Sequence, residues 1–368
     1  MRPEAEVAGV LRALGGDTEQ IGLNTHQLRH LSAIRKCRTA ELGGHVDACD
    51  ECGTIHISYN SCRNRHCPKC QGHKREEWMQ TRINELLPVP YFHVVFSLPD
   101  KLNALAMQHP QKIYGLLFAS AWETLQTFFA KQEVKGGMIT ILHTWGQNLM
   151  LHPHLHCIVP GGGVDKNGRW KNIRADGKFL FSVRGLSKMF RAKYVEKLRG
   201  EKITAHSFTR TLFEKDWVVY AKRPFGNTHS VIEYLGRYTH KVAISNHRIR
   251  SVDNEKVTFE YKDYRKKGKK DAMTLSNHEF TRRFALHILP HGFVRIRHYG
   301  ILSGTWKRER LPKLQRQLGA KLQSPNPEKG TLLRRCPHCK TGTLVTVMTF
   351  SGRDPPTDLL CGLLSVSC

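Results

Sequence analysis

The sequence predicts an α+β fold with a largely antiparallel sheet, preceded by a small module held together by metal. Short segments with an apolar period of two, which is typical of strands, alternate with segments of helical period. They do not follow the strict strand–helix–strand order of a doubly wound parallel sheet. Residues 45–75 are dense in Cys, His and Gly and have little apolar periodicity, which indicates a metal-binding module.

The elements, taken in chain order, divide the chain into three parts. Residues 1–90 are predicted to form an N-terminal helical and zinc-binding domain, because helical spacing of Leu and Ile precedes the Cys-rich stretch. Residues 91–310 are predicted to form the main α+β domain, and residues 311–368 a basic C-terminal tail with a further CxxC pair. In the main domain the predicted strands are 91–98, 138–144, 152–159, 217–222, 247–252, 256–262 and 272–276, and the predicted helices are 103–131, 186–199, 229–240 and 278–289.

The charge of the chain points to a polyanionic partner. Lys and Arg number 58 against 31 Asp and Glu, which gives a formal net charge of +27 and a pI near 9.9. Nucleic acid is the first candidate, ahead of an acidic membrane surface. There is no apolar run long enough to span a bilayer and no signal-peptide pattern, so we expect a cytoplasmic protein without a membrane partner. The 11 Cys residues are then expected to be thiols or metal ligands.

Two CxxC pairs, Cys49 with Cys52 and Cys67 with Cys70, predict a structural zinc site. Zinc takes four ligands in a tetrahedron, and each short loop supplies two thiolates. Cys62 is a possible substitute ligand, and the alternative is two pairs of buried thiols. The zinc would hold a basic surface for DNA, formed by Arg63, Arg65 and Lys69.

The C-terminal CxxC pair, Cys336 with Cys339, has no evident second pair near it in the sequence. Whether it binds a second zinc stays open.

His154 and His156 stand two apart in a segment that alternates with apolar residues, so a strand would place both imidazoles on one face. Two buried imidazoles are costly unless something binds them, which predicts a metal site. Neutral imidazoles suit zinc, manganese, nickel or copper, and magnesium is tolerated where phosphate and water complete the shell. The third ligand is expected to be Gln147, with His152 as the rival.

Tyr234 and Tyr238 stand four apart and would share one face of a helix. A phenol titrates near pH 10, so forming a nucleophilic phenolate at pH 7 requires about 4 kcal/mol of activation. Lys241 lies on the same face and could supply it. Taken alone, two tyrosines at this spacing are packing residues; the histidine pair favours a catalytic role.

Two basic stretches are expected to contact DNA. The first is a hairpin tip and the second has aromatic residues interleaved, which can stack on unpaired bases. Their residues are Arg265, Lys266, Lys267, Lys269 and Lys270 in the first, and Arg295 and Arg297 in the second.

Several of these segments resemble the transposases of the insertion sequence 91 family. The resemblance is carried by residues 62–70, 152–163, 220–226, 234–245 and 293–300 and extends over about residues 20–310. Those proteins are HUH (histidine–hydrophobe–histidine) endonucleases. The resemblance implies a five-stranded antiparallel sheet with His154 and His156 on a central strand, a tyrosine helix beside it, and an N-terminal zinc-binding domain.

The resemblance also implies an activity, which is cleavage and rejoining of single-stranded DNA at the ends of a mobile element by rolling-circle transposition. Tyr234 and Tyr238 would be the nucleophiles and form 5′-phosphotyrosine esters with Mg²⁺ or Mn²⁺ as the catalytic ion. The expected partners are single-stranded or hairpin element ends and target DNA, in the nucleoid of a bacterial cytoplasm. The alternatives are a replication initiator or relaxase of the same chemistry, and a zinc-dependent DNA-binding protein without nuclease activity.

Overall fold

The computed structural model describes residues 5–15, 21–70, 85–174, 180–222, 230, 231, 236, 241–263, 266, 268–320 and 334–352. Its strands are β1 (Gly44–Cys49), β2 (Ile55–Tyr59), β3 (Tyr91–Ser97), β4 (Gly137–Trp145), β5 (Leu151–Pro160), β6 (Gly162–Val164), β7 (Trp170–Asn172), β8 (Val219–Lys222), β9 (Ile249–Val252), β10 (Lys256–Asp263), β11 (Lys269–Ser276), β12 (Ile296–Gly300) and β13 (Leu344–Phe350). Its helices are α1 (Val7–Ala13), α2 (Thr25–Arg35), α3 (Asn103–Gln108), α4 (Pro110–Ala130), α5 (Val183–Gly200), α6 (His206–Thr211), α7 (Asn277–Ala285), α8 (Gly304–Glu309) and α9 (Leu311–Gln317). None of these helices is both long and apolar enough to cross a bilayer. The predicted α+β class is confirmed.

Five strands form a central antiparallel sheet in the order β12-β4-β5-β3-β8. Strand β5 is in the middle, and side chains on it alternate between the two faces. Leu155 and Cys157 therefore join the core on one face, whereas Ile158 joins a separate core on the other. His154 and His156 share the face of Ile158.

The first face is covered by the two longest helices of the described chain, α4 and α5. Apolar residues of α4 recur every three or four positions, and Phe118 and Leu125 are fully buried against the sheet. Helix α5 begins after Ser182, whose side chain accepts a hydrogen bond from the backbone N–H of Gly185. The histidines of β5 lie on the opposite face, beside the core that contains Ile158.

A second antiparallel sheet, in the order β11-β10-β9, packs with α7 and the two N-terminal helices. Val10 of α1, Leu31 of α2, Phe259 of β10 and Phe280 of α7 are buried in one cluster. Trp145, at the end of β4, belongs to the same cluster. The N-terminal helices are thus packed directly against the part of the chain that lies beyond the tyrosine segment.

The third sheet, in the order β13-β1-β2, joins the two ends of the chain. Strand β13 pairs antiparallel with β1, from Gly44 opposite Phe350 to Cys49 opposite Leu344. Gly43 has a φ of +68° and lies so close to the carbonyl of Phe350 that a side chain would collide with it. Residues 344–350, predicted as part of a C-terminal tail, are therefore the edge strand of the N-terminal module.

Candidate metal centres

Three histidines converge on the face of the central sheet that carries Ile158. His143 of β4 lies directly opposite His154 of β5 in the strand pairing, and His156 follows two residues later on the same face. One nitrogen from each of the three lies within 4.8 Å of those from the other two. The Nε2 atoms of His154 and His156 are 3.2 Å apart. Such a separation allows both nitrogens to bind one ion.

The outer nitrogen of each ring on β5 is held by a neighbour. Nδ1 of His154 donates to the backbone carbonyl of His152 at 2.7 Å, which leaves Nε2 with its lone pair directed into the cluster. Nδ1 of His156 lies 2.9 Å from Nε2 of His93, and the two rings are stacked at 5.1 Å. His93 is on β3, opposite Ile158, and so reaches the same face. These partners fix the orientation of both rings.

The surroundings keep these imidazoles neutral. Burial lowers the pKa of His154 to about 4 and that of His93 to about 3. The pKa of His156 lies well below its usual range, because of burial first and the charge of His143 second. A neutral imidazole keeps the lone pair that a cation needs. The donor set therefore fits a divalent ion.

His143 was missed by the sequence analysis, which assigned the third ligand to Gln147. The third nitrogen of this cluster belongs to His143, because the register of β4 and β5 sets it opposite His154. Trp145 stacks on its ring with centroids 4.4 Å apart and planes 21° apart. Gln147 lies beyond the end of β4, where its carbonyl accepts a hydrogen bond from Arg248 at 2.5 Å. The rival, His152, contributes its carbonyl, and its ring centroid is 5.1 Å from that of His154.

Tyr234 and Tyr238 lie outside the described residues, but their neighbours are informative. Positions 230, 231 and 236 are helical, and Val231 is buried in the same cluster as Ile141 and Ile158. This cluster is on the face of the sheet that carries the histidines. Val231, three residues before Tyr234 in the sequence, is therefore on that face.

Lys241 follows the tyrosine segment and is exposed. Its charge contributes to lowering the pKa of both His154 and His156. The protein atoms around its ammonium group lower its own pKa by desolvation, and the charges of Arg248 and Lys262 add to this effect. Its backbone carbonyl accepts a hydrogen bond from Arg295 at 3.2 Å. Lys241 is therefore close enough to the histidine cluster to interact with charge there.

The cysteines form two four-thiol clusters, which corrects the predicted single zinc site. Cys67 and Cys70 lie with Cys37 and Cys62, whereas Cys49 and Cys52 lie with Cys336 and Cys339. The two predicted CxxC pairs do not meet, because Cys49 ends β1 and Cys52 follows in the β1–β2 turn, alongside β13 and its preceding loop. Each predicted pair thus finds its partners elsewhere in the chain.

The distances in both clusters fit zinc. Zn–S bonds of about 2.3 Å in a tetrahedron set the sulfurs roughly 3.8 Å apart. In the first cluster Sγ of Cys70 is 3.5 Å from that of Cys37 and 3.6 Å from that of Cys62. In the second cluster the Cys49–Cys339 and Cys52–Cys336 sulfur distances are both 3.7 Å. A closed set of four thiolates is typical of structural zinc.

Several residues predicted to bind DNA are engaged within the protein. Arg65 donates to the carbonyls of Phe293 and Pro290, Lys69 pairs with Glu6 at 2.8 Å, and the guanidinium of Arg297 lies 4.1 Å from the centroid of the Phe118 ring. Burial, followed by the charge of Arg65, lowers the pKa of Arg295 to about 10. The exposed members of the predicted set are Arg63, Lys266, Lys269 and Lys270. Arg265 and Lys267 lie outside the described residues.

The chain matches two family descriptions, one of a putative transposase over residues 137–310 and one of a transposase zinc-binding domain over residues 12–98. The putative transposase y4qJ of Sinorhizobium fredii is 42% identical over 391 residues, which cover 96% of this chain and 98% of that protein. The transposase for insertion sequence element IS801 of Pseudomonas savastanoi pv. phaseolicola is 27% identical over 363 residues, which cover 94% of this chain and 84% of that protein. No solved structure gives a significant match.

Proposed function

Because the chain belongs to the insertion sequence 91 family of transposases and has that family's N-terminal zinc-binding domain, we propose that it is an HUH endonuclease. It cleaves and rejoins single-stranded DNA at the ends of a mobile element through phosphotyrosine esters, in rolling-circle transposition. The observation that carries this proposal is the cluster of His143, His154 and His156 on the middle strands of a five-stranded antiparallel sheet.

The histidine cluster is proposed to hold the catalytic divalent ion. Three nitrogens on one face leave coordination positions for water and for phosphate oxygens, which a closed four-ligand site does not offer. Among the ions that also accept oxygen ligands, a set of three imidazoles suits Mn²⁺ better than Mg²⁺. When bound, the ion would polarise the scissile phosphate.

The nucleophiles are proposed to be Tyr234 and Tyr238. The support is their spacing in the sequence and the position of Val231, three residues before Tyr234, on the histidine face. In the proposed step a tyrosine oxygen forms a bond to phosphorus as the bond to the 3′ oxygen breaks. The phenol loses its proton, and the departing 3′ oxygen gains one. Attack of a 3′-OH on the ester reverses the step and rejoins the strand.

Lys241 is proposed to assist that attack electrostatically. Its ammonium is close enough to His154 and His156 to affect their pKa values, so it lies near the reacting phosphate in the proposed complex. A positive charge there favours the phenolate over the phenol and stabilises the additional negative charge on the phosphate.

DNA contact is proposed for the exposed basic residues of the β10–β11 hairpin, Lys266, Lys269 and Lys270. The net charge of the chain and its membership of a transposase family support a nucleic-acid partner. Lys266 and Lys270 also pair with Asp271 and Glu260 at 3.0 and 3.8 Å, so these contacts would be exchanged for phosphate on binding.

The test is a covalent-adduct assay with single-stranded oligonucleotides that carry the element ends, in Mn²⁺ and in Mg²⁺. We expect a protein–DNA adduct that resists denaturation and disappears in the double variant Tyr234→Phe and Tyr238→Phe. His152→Ala is the matched control, since this ring neighbours the triad without belonging to it, and it should retain the adduct. An adduct that persists in the double tyrosine variant would overturn the proposal.

A further inference from the structure

The second four-cysteine cluster combines residues from opposite ends of the chain. The zinc-binding family match ends at residue 98, so it contains Cys49 and Cys52 but neither Cys336 nor Cys339. All four ligand atoms nevertheless lie within 4.8 Å of one another. Cys49 and Cys336 are buried, and Cys339 is half-buried. The geometry therefore adds Cys336 and Cys339, which lie outside the matched zinc-binding domain, to a cluster that contains Cys49 and Cys52 of that domain.

Both CxxC pairs of this cluster are already in the tight turns that a metal requires. In the first, the N–H of Gly53 donates to the carbonyl of Cys49, and Gly53 has a φ of +69°. In the second, the N–H of Lys340 donates to the carbonyl of Cys336, and Lys340 has a φ of +62°. The N–H of Gly342 also points at Sγ of Cys339, at 3.3 Å, as expected for a thiolate acceptor.

Hydrogen bonds around the cluster hold the two CxxC turns next to each other. The N–H of Thr343 donates to the Asp50 carboxylate at 2.7 Å, and the N–H of Asp50 donates back to the carbonyl of Thr343 at 3.1 Å. Thr346 of β13 donates to the carboxylate of Asp47 on β1 at 2.7 Å. A side chain at Gly342 would place its Cβ 2.5 Å from Sγ of Cys49, so the two turns are in close contact.

We propose that Cys49, Cys52, Cys336 and Cys339 bind a second zinc ion, which clasps the C-terminal strand β13 to the N-terminal module. We call this site the terminal clasp. Two knuckles and three antiparallel strands then form one zinc ribbon that is discontinuous in sequence. Disulfides are the rival explanation, but a bonded pair has sulfurs about 2.05 Å apart, and a bond in either pair would remove its two thiols from the tetrahedral set.

The clasp also affects how the protein could bind DNA. This part of the inference rests on the proposed function, whereas the zinc site itself does not. The clasp sets Arg334 and Arg335 on a cleft of about 430 Å³ that His45 and His56 also line. His56 and Ser58 belong as well to a larger cleft of about 960 Å³ with Arg12, Arg38 and Lys69 on its walls. The two clefts share His56 and Ser58 and carry basic side chains from both chain ends, with Arg12 and Lys69 paired to Glu6. We call them together the basic groove, and the partner proposed for it is a DNA backbone.

The clasp is tested by counting zinc in the full chain by native mass spectrometry. The His154→Ala background is used so that the histidine cluster does not add a third ion. We expect two zinc ions in that background and one after Cys336→Ser with Cys339→Ser. Cys157→Ser is the matched control, because Cys157 is a buried thiol outside both clusters, and it should retain two.

Hydrogen exchange provides the second measurement, and it does not require the serine variant to be fully stable. Removal of the clasp ligands should speed exchange in β13 and leave the β4–β5 ladder protected.

A Cys339→His variant replaces the serine variant if that protein is too unstable to purify. It keeps four ligands and should retain two zinc ions. One zinc in the parent background, two in the serine variant, or a disulfide between these cysteines in protein purified under reducing conditions would each overturn the proposal. The DNA consequence fails separately if zinc is lost from the clasp and DNA affinity is unchanged.

Discussion

The histidine cluster and the cysteine clusters both gather metal ligands, but on different kinds of backbone. The histidines lie on regular neighbouring strands in the middle of a sheet whose other face is sealed by α4 and α5. The cysteines lie mainly in turns and loops, and the only strands next to them are the short β13-β1-β2 sheet at the second cluster, among the described residues. A ladder of strands needs no metal to hold its shape, so it can keep an open site. The turns depend on their metal, so their sites are closed.

This comparison leads us to expect opposite consequences when a ligand is removed. Loss of a histidine should leave the fold intact and abolish DNA cleavage. Loss of a cysteine should unfold the segment around the zinc site. The binding free energy of structural zinc is also folding free energy, about 10–16 kcal/mol in small zinc modules.

The largest effect is expected from Cys67→Ser with Cys70→Ser. This change removes two ligands of the buried first cluster, and on the order of 10 kcal/mol of metal-linked stability should be lost from the N-terminal module. Hydrogen exchange should show α2 losing protection while α4 stays protected. If α2 stays protected without bound zinc, the first cysteine cluster does not stabilise the fold, and the contrast with the histidine cluster is wrong.

The next effect is expected from His143→Ala. Cleavage of a single-stranded element end should fall at least 10³-fold, roughly 4 kcal/mol of transition-state stabilisation. The fold should persist, because the backbone pairing of β4 with β5 does not depend on this ring. His152→Ala is the control and should cleave at close to the parent rate. A His143→Ala protein that cleaves normally would return the third-ligand position to Gln147.

A smaller effect is expected from His93→Gln. The amide can still hydrogen-bond to Nδ1 of His156 but cannot stack on it, so the affinity for the divalent ion should fall by about 10-fold, within the range of 10–100-fold typical of such partners. The readout is the Mn²⁺ concentration that gives half-maximal cleavage. The rate at saturating Mn²⁺ should recover, whereas an unrecovered rate would show that His93 acts in the reaction itself.

The smallest effect is expected from Arg335→Glu, which tests the groove at the terminal clasp. Loss of one phosphate contact should reduce the log–log salt dependence of single-strand binding by about 0.7. Lys188→Glu, an equal charge change at an exposed position of α5, is the matched control. Equal slopes for the two variants would remove the groove from the DNA interface and leave the clasp as a purely structural site.

The sequence predicted the core of the sheet well, because alternation is a local property. Strands 91–98, 138–144 and 152–159 correspond to β3, β4 and β5, and helix 186–199 corresponds to α5. The short strands after residue 247 are confirmed as β9, β10 and β11. The edge strands β12 and β13 were not predicted as strands. β12 is short and half-polar, and the partner with which β13 pairs, β1, lies about 300 residues away in the sequence.

The sites show the same division between local and distant information. The pairs His154–His156 and Cys49–Cys52 were predicted because the two members of each pair are close in sequence, and the structure brings both members of each pair into one cluster. His143 was missed because a single histidine in an otherwise buried strand has no spacing signal, and only the register with β5 reveals it. The partners of Cys49 and Cys52 were assigned wrongly, since a CxxC turn specifies two thiols and not which second pair completes the tetrahedron.

The pairing of β13 with β1 also imposes an order on biosynthesis. The N-terminal module is made first, yet its second zinc site lacks two ligands until Cys336 and Cys339 have left the ribosome. Domains that fold as units during synthesis are normally complete once their own segment has emerged. In this chain a nonsense mutation or frameshift between residues 157 and 335 would produce a protein with all three histidines and an unfinished zinc ribbon. Translation as far as Cys339 is therefore a condition for a finished N-terminal module.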